Sequence, residues 1–154
     1  MRRFISILVL TGAVTAAFAF GAPSAGAATW DIAKLPGGGP VVGHVATAGT
    51  TAFNVTNASD ALVGKVVKTG SGAWKVMRGG TRIAVVKANG TNAYPVNLYD
   101  LTGKRIGRAG PYGDTWRVEK LYRGIVNVNE IRAYVPKSCP GRAALGAVRL
   151  VFWK

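Results

Sequence analysis

Three tryptophans of this chain begin five-residue words of one pattern, and this repetition constrains the fold more than any other feature. Each word reads tryptophan, any residue, β-branched aliphatic, any residue, basic; the three are Trp30–Lys34, Trp74–Arg78 and Trp116–Lys120. The steps between the tryptophans are 44 and 42 residues. A period of this size indicates one supersecondary unit present in three copies. The sequence therefore predicts a repeat architecture before any single residue is interpreted.

A second repeated element follows each tryptophan word. Residues 53–66 align without a gap to residues 96–109, and residues 134–148 follow the same course with one extra residue. The shared positions are few, and they are Asn54 with Asn97, and Gly64 with Gly107 and Gly146. Between them, Gly79-Gly80 is typical of a tight hairpin turn joining two short strands. Each unit thus divides into two hairpins, which predicts about twelve strands in all.

Helical signals are absent from the predicted domain. No stretch after residue 28 keeps an i, i+3, i+4, i+7 apolar pattern for three turns, and 21 glycines and 7 prolines interrupt the whole chain. We therefore predict an all-β protein with three internal repeats of about 43 residues. A β-trefoil fits the strand count and the period. A β-prism, an open antiparallel repeat sheet and an irregular barrel fit the same pattern and stay open.

The N-terminus has the pattern of a signal peptide. Arg2 and Arg3 precede an apolar run from Phe4 to about Phe20, and small residues around Ala27 form a cleavage site. Residues 1–28 are accordingly predicted to be a signal peptide and residues 29–154 a single all-β repeat domain, secreted or associated with the cell wall. An uncleaved membrane anchor is the rival interpretation, but the apolar run is short for a membrane span.

The charge of the chain is strongly positive. It has 20 basic and 6 acidic side chains, and removal of the leader with Arg2 and Arg3 leaves 18 basic against 6 acidic. A field of this sign attracts polyanions, including anionic glycans, phosphate-rich wall polymers and nucleic acid. The simpler interpretation is that the charge only keeps a glycine-rich β protein soluble. The basic residues are spread along the chain, which favours a charged face on a folded body.

The reactive side chains do not indicate an enzyme. His44 is the only histidine and Cys139 the only cysteine, too few for a zinc site built from such ligands, so we expect no metal and no cofactor. His44 lies beside no nucleophile elbow and is expected to be a lone structural or exposed histidine. A glycosidase pair is a weaker alternative, with Asp31 and Glu119 as its best candidates because each lies near a repeat tryptophan.

Cys139 is predicted to be exposed, because it aligns with a hairpin tip and precedes Pro140-Gly141. A free thiol is the plain interpretation, and a dimer linked through Cys139 is the sharper one. The chain has no second cysteine for an internal disulfide.

The tryptophans share strands with Ile32, Val76 and Val118 at period two, so a core role is favoured for them over a role as ligand platforms. The basic residue that ends each word falls where its strand should turn, so it can present a cation. We predict ligand binding by these three and by further basic residues of the second element, which gives the set Lys34, Arg78, Lys120, Lys65, Arg108, Lys104 and Arg105.

The functional expectation is a secreted, non-enzymatic protein that binds an anionic envelope polysaccharide or wall phosphate polymer. Nucleic acid is a less favoured partner. The alternative class is a secreted effector, either a protease inhibitor or a cationic antimicrobial protein. An inhibitor requires a rigid protruding loop, with residues 78–80 and 137–142 as candidates, and a membrane-active protein requires an exposed apolar surface beside the charge.

Overall fold

A computed structural model describes residues 27–122 and 129–153, and of the predicted signal peptide only residues 27 and 28 fall inside that range. The described residues form ten strands and one helix. The strands are β1 (Thr29–Ala33), β2 (Val41–Ala48), β3 (Ala52–Asn57), β4 (Leu62–Val67), β5 (Trp74–Arg78), β6 (Thr81–Lys87), β7 (Val96–Tyr99), β8 (Arg105–Tyr112), β9 (Thr115–Leu121) and β10 (Asn129–Pro136), and the helix is α1 (Gly141–Phe152). The all-β class is confirmed.

The ten strands close into a single antiparallel barrel. Each strand pairs with the next one along the chain, and β1 closes the ring by pairing with β10 at Ala33 and Tyr134. Closure of this kind removes the sheet edges. The inward positions alternate along each strand and carry mostly valine, alanine and glycine. These small residues leave space along the axis of the barrel.

The helix α1 fills that space. It contacts every strand from β2 to β10, and its residues from Ala143 to Val148 are all buried. A helix that is apolar on nearly all sides is one that must be surrounded by protein. Only Arg142 and Arg149, near its two ends, place charged groups on it.

The helix runs along the barrel from one rim to the other. Its first residue, Gly141, lies against the ring of Trp116 at the start of β9. At its other end the carbonyl of Leu150 accepts a hydrogen bond of 2.9 Å from Nη2 of Arg78, at the end of β5. We call this second end, where odd-numbered strands finish and even-numbered strands begin, the distal rim.

Two interior glycines bring the barrel wall close to the helix. A Cβ atom at Gly64 would lie 2.6 Å from the Leu150 side chain, and one at Gly107 would lie 2.5 Å from the Trp153 ring. On the helix itself, a Cβ atom at Gly146 would lie 2.7 Å from the Val66 side chain. The absence of side chains at these positions therefore sets how near the helix can approach the strands.

The predicted β-trefoil is wrong, because the strands follow one another around one closed barrel and a helix fills its centre. The third predicted hairpin, residues 134–148, is also wrong in its second half, where α1 begins at Gly141 and includes Gly146. The helix was not predicted because the alignment with the earlier hairpins assigned this segment to strands. Arg142 and Arg149 are seven residues apart and share one narrow side of the helix, and the other sides are apolar, as suits a position inside the barrel.

Trp74 is the first residue of β5, and Trp30 and Trp116 are the second residues of β1 and β9. The tryptophans therefore lie on every fourth strand along the chain. Trp74 is 7% exposed and stacks on Phe53 with ring centres 5.6 Å apart. Trp30 and Trp116 are half-buried and pack against the same core. The four-strand spacing suits the predicted unit, but the repeat itself stays a prediction.

Candidate functional site

The outer face of strands β4 to β8 gathers basic side chains from separate parts of the sequence. Lys65 lies opposite Met77, which lies opposite Arg82. In the next cross-strand row, Lys75 lies opposite Val85, then Tyr99, then Arg105. Directly opposed residues share a face, and neighbouring strands lie about 4.8 Å apart, so the cations of one row are within reach of a single extended ligand. We call this surface the basic wall: Lys65, Lys75, Arg82, Lys87 and Arg105.

Three adjoining depressions follow the basic wall and form one open groove. Their volumes are about 310, 270 and 610 Å³. The first two share Arg82 and Val85, the first and third share Lys87 and Asn89, and the second and third share Ser71 and Ala73. The cations that line the groove are Lys75, Arg82, Lys87 and Arg142.

Polar and aromatic groups stand between these cations. The Asn89 amide donates a hydrogen bond of 3.0 Å to the Tyr99 hydroxyl, and the Asn97 amide donates one of 3.2 Å to Oδ1 of Asn89. Nζ of Lys87 lies 5.3 Å from the centre of the Tyr99 ring. These contacts fix the Tyr99 ring in the groove, where it can stack on an apolar face of a ligand.

Arg142 is held in place at one end of the groove. Its Nη1 donates a hydrogen bond of 2.6 Å to the Gly72 carbonyl, and its guanidinium lies 4.2 Å from the centre of the Trp74 ring. A guanidinium fixed by a carbonyl and a ring is preorganised, so little side-chain entropy is lost when it meets an anion.

Five of the six acidic side chains have basic or hydrogen-bonding partners outside the basic wall, and the sixth, Asp114, lies at the β8–β9 turn on the opposite rim, so the wall keeps its charge. Asp31 and Asp60 lie beside His44, Glu119 is paired with Arg108 and Arg117, and Glu130 is paired with Arg132. Asp100 lines the groove, but its Oδ1 accepts hydrogen bonds from the backbone N–H groups of Thr102 and Lys104 in its own turn. None of the ion pairs among the described residues therefore includes a residue of the basic wall.

The predicted binding residues divide between two surfaces. Lys65 and Arg105 lie on the basic wall, with Lys104 in the adjoining turn. Lys34, Arg78 and Lys120 come from β1, β5 and β9 and all lie at or just beyond the distal rim. Strands β1 and β9 are separated only by β10, whereas β5 lies across the barrel. The structure therefore does not bring these three cations onto one common patch.

Arg78 and Arg108 have structural partners that the sequence did not reveal. The Arg78 guanidinium binds the last turn of α1, where a cation also stabilises the helix dipole. Nε of Arg108 lies 2.8 Å from Oε2 of Glu119, whose side chain is 5% exposed, and its guanidinium lies 3.6 Å from the centre of the Tyr94 ring. Arg108 thus compensates a buried carboxylate.

The wall residues Lys75, Arg82 and Lys87 and the groove residue Arg142 were missed in the sequence. A signal was present, because Lys75 alternates with Trp74 and Val76, and Lys87 follows Val86. Outward parity marks such lysines as surface groups. Only the strand register, however, places them beside one another.

His44, predicted to be a structural or exposed histidine, is partly exposed and has two acidic neighbours. Its Nδ1 lies 2.8 Å from Oδ1 of Asp31 and its Nε2 lies 3.6 Å from Oδ1 of Asp60. Asp31 and Glu119, the candidate glycosidase pair, are held by different partners, with Glu119 covered by two arginines. Within the described ranges, no group of three or more histidine, cysteine or acidic residues is placed to hold a metal ion.

The two segments proposed for an inhibitor loop are a tight turn and the entry to a helix. Gly79 and Gly80, with φ of 53° and 81°, form a two-residue turn between β5 and β6, which suits a tight type I′ hairpin. The segment at 137–142 leads directly into α1.

The prediction that Cys139 is exposed is wrong. Its side chain is fully buried, in the same apolar core as α1. Burial raises the pKa of the Cys139 thiol from 9.0 to about 12, because a thiolate is poorly solvated there. A disulfide between two copies requires an accessible sulfur. The dimer through Cys139 was predicted from an exposure of this side chain that the structure does not show.

We expect the Cys139 thiol to resist alkylation in the native state and to react at once in urea, since the thiolate is the reactive form. Because folding raises its pKa, the thiol contributes to the free energy of unfolding. This contribution is complete below pH 9 and is lost as the pH rises towards 12. Urea unfolding across this interval, compared with Cys139→Ala, measures the contribution. Rapid native labelling would contradict the buried position.

Comparisons of the chain with protein-family models, curated proteins and solved structures give no match. In the described part of the chain, no helix combines the length and the apolar character needed to cross a membrane.

Proposed function

We propose that this is an exported, non-enzymatic protein that binds an anionic polymer along the basic wall. The observation that carries the proposal is the groove with Lys75, Arg82, Lys87 and Arg142, cations that none of the ion pairs among the described residues neutralises. A row of like charges is unfavourable by itself, so a ligand that neutralises several of them gains free energy.

A polymer fits this surface better than a compact ligand. The groove is open and continues over three depressions, so no single enclosed cavity surrounds a small molecule. Several weak charge contacts along a chain act together, because once one has formed the others are intramolecular. Polymer binding of this kind requires neither a catalytic group nor a cofactor.

The groups between the cations favour an anionic glycan or a wall phosphate polymer over nucleic acid. Tyr99 offers one aromatic ring, and Asn89 offers an amide of the kind that binds sugar hydroxyls. Single-stranded nucleic acid is usually bound on several aromatic rings in succession. In the described groove lining Tyr99 is the one aromatic residue.

The test replaces charge at the wall without changing the fold. We expect the triple variant Lys75→Gln, Arg82→Gln, Lys87→Gln to bind a polyuronate or a glycerol-phosphate polymer about ten- to a hundredfold more weakly than the parent. The slope of log Kd against log salt concentration should fall by about 2, since fewer counterions are released. Isothermal titration at several ionic strengths measures both quantities.

A matched control removes the same charge elsewhere, with Lys34→Gln, Lys120→Gln and Lys137→Gln in one variant. It should retain most of the affinity, because these residues lie away from the groove. Equal losses in the two variants would show that only the net charge matters, and the proposed site would then be wrong. Binding that does not depend on salt would contradict the polyanion class itself.

A further inference from the structure

The distal rim presents apolar side chains to solvent, which the polymer-binding wall does not explain. Among the described residues, the exposed large apolar side chains are Leu35, Val41, Leu62, Leu101, Tyr112, Tyr122 and Ile131. All except Tyr112 lie in connections of the distal rim or within the first residues of the strands that begin there. Exposed apolar groups that cluster at one end of a molecule indicate an interaction surface.

The leucines of this surface project at the tips of separate hairpins. Leu35, Leu62 and Leu101 are 58%, 59% and 58% exposed. Leu35 and Leu101 lie in the β1–β2 and β7–β8 connections, and Leu62 is the first residue of β4. Tyr122 follows the end of β9. The apolar groups are therefore distributed around the rim, whereas an interface with a compact protein patch usually places them at one centre.

Cations accompany these apolar tips. Lys34 precedes Leu35, Lys104 and Arg105 follow Leu101, and Nζ of Lys120 lies 5.0 Å from the centre of the Tyr122 ring. The rim also has carboxylates, but Asp60 lies 3.6 Å from His44, Glu130 is paired with Arg132, and Asp100 binds its own turn. The lysines at the tips thus stay available to an anionic surface.

We propose that the distal rim docks on the surface of an anionic phospholipid bilayer, with the three leucines entering the boundary between headgroups and acyl chains. Apolar tips beside lysines match the two attractions that hold proteins at such an interface, which are apolar burial and attraction to anionic headgroups. Tyrosine is favoured at the same depth because one end of its ring is apolar and the other polar. The barrel would then stand on the membrane with the basic wall at its side.

The test uses residues 28–154, which contain every strand and the helix but exclude the apolar leader. We expect this chain to sediment with vesicles made of equal parts phosphatidylcholine and phosphatidylglycerol, and not with vesicles of phosphatidylcholine alone. The triple variant Leu35→Ser, Leu62→Ser, Leu101→Ser should lower the partition coefficient on the order of tenfold or more. These side chains are exposed, so its unfolding midpoint should stay near that of the parent.

Tyr112→Ser is the matched apolar control, because Tyr112 is 46% exposed at the turn between β8 and β9, on the opposite rim. It should bind vesicles as the parent does. Full vesicle binding by the leucine triple variant would overturn the proposal, and so would absence of binding by the parent. The proposal would also be overturned if the Lys75, Arg82, Lys87 triple variant lost vesicle binding while the leucine variant kept it, because the membrane would then bind to the basic wall.

The proposal for the rim and the proposal for the wall can fail separately. A double variant, Leu35→Ser and Leu62→Ser, should bind anionic vesicles more weakly but bind the wall polymer with unchanged affinity, since neither residue lines the groove, whereas Leu101 does and is left intact. Weaker polymer binding by this variant would show that the two surfaces are one site, against the arrangement proposed here.

Discussion

We expect a chain that ends after Pro140 to be unfolded. It lacks α1, whose buried residues are Ala143, Ala144, Leu145, Gly146, Ala147, Val148 and Leu150. Replacing one large buried side chain by alanine costs about 2–5 kcal/mol, and the whole stability of a domain is only about 5–15 kcal/mol. The inward side chains of the strands are mostly too small to meet one another across the empty barrel. Far-ultraviolet circular dichroism and amide proton dispersion measure the loss.

The control for this truncation is a chain that ends after Trp153. It keeps the complete helix and the hydrogen bond from the Trp153 N–H to the Arg149 carbonyl, so it should unfold at a urea midpoint close to that of the parent. A folded barrel without α1 would contradict the view that the helix is its core. It would then be a secondary element that occupies an already stable cavity.

The hairpins could be predicted from the sequence because their signals are local. The turn at Gly79-Gly80 and the strands on either side of it occur where the pattern places them. A turn depends on the φ angles and side-chain hydrogen bonds of a few adjacent residues. These requirements can be recognised in the sequence without knowledge of the fold.

The barrel and its central helix could not be predicted in the same way. Period-two strands are compatible with a trefoil, a prism or a barrel, because the pattern specifies which face is buried and not what covers it. The segment after Pro140 has only a narrow polar side, formed by Arg142 and Arg149, and its alignment with the earlier hairpins predicted a strand instead. Its burial inside the barrel also explains Cys139, which lies where the chain turns inward to begin α1.

The candidate site was predicted only in part for a related reason. Equivalence between repeats selected Lys34, Arg78 and Lys120, which the closed barrel separates around one rim. The groove cations come from β5, β6 and the first turn of α1, and the strand register together with the position of the helix brings them together. Charge composition thus indicates a class of partner, while position on the barrel decides which cations can reach it.

The two proposed surfaces have compatible geometry. The basic wall lies on the outside of β4 to β8, parallel to the strands, whereas the apolar tips lie at one end of the barrel. A barrel attached to a bilayer by its end keeps its side free. The two surfaces meet only where Leu101 lines the groove and Arg105 belongs to the wall. Polymer and membrane would therefore compete at that corner alone, and the polymer would be held close to the membrane surface.

We expect Gly64→Ala to destabilise the domain by about 3 kcal/mol or more, at the upper end of overpacking effects. The new Cβ atom would lie 2.3 Å from the backbone carbonyl oxygen of Met77 and 2.6 Å from the Leu150 side chain. The carbonyl belongs to β5, so it cannot move away without disturbing the pairing of β4 with β5. Urea unfolding followed by tryptophan fluorescence gives the free energy of unfolding.

Gly70→Ala is the control for this substitution, because a Cβ atom at Gly70 meets nothing within 4 Å and its φ is not positive. Its effect should stay within about 0.5 kcal/mol. The further variant Gly64→Ala, Leu150→Ala separates the two contacts. Since the closer one is to backbone, removal of the Leu150 side chain should not restore stability. Recovery in the double variant would show that the helix contact, and not the barrel wall, requires glycine at position 64.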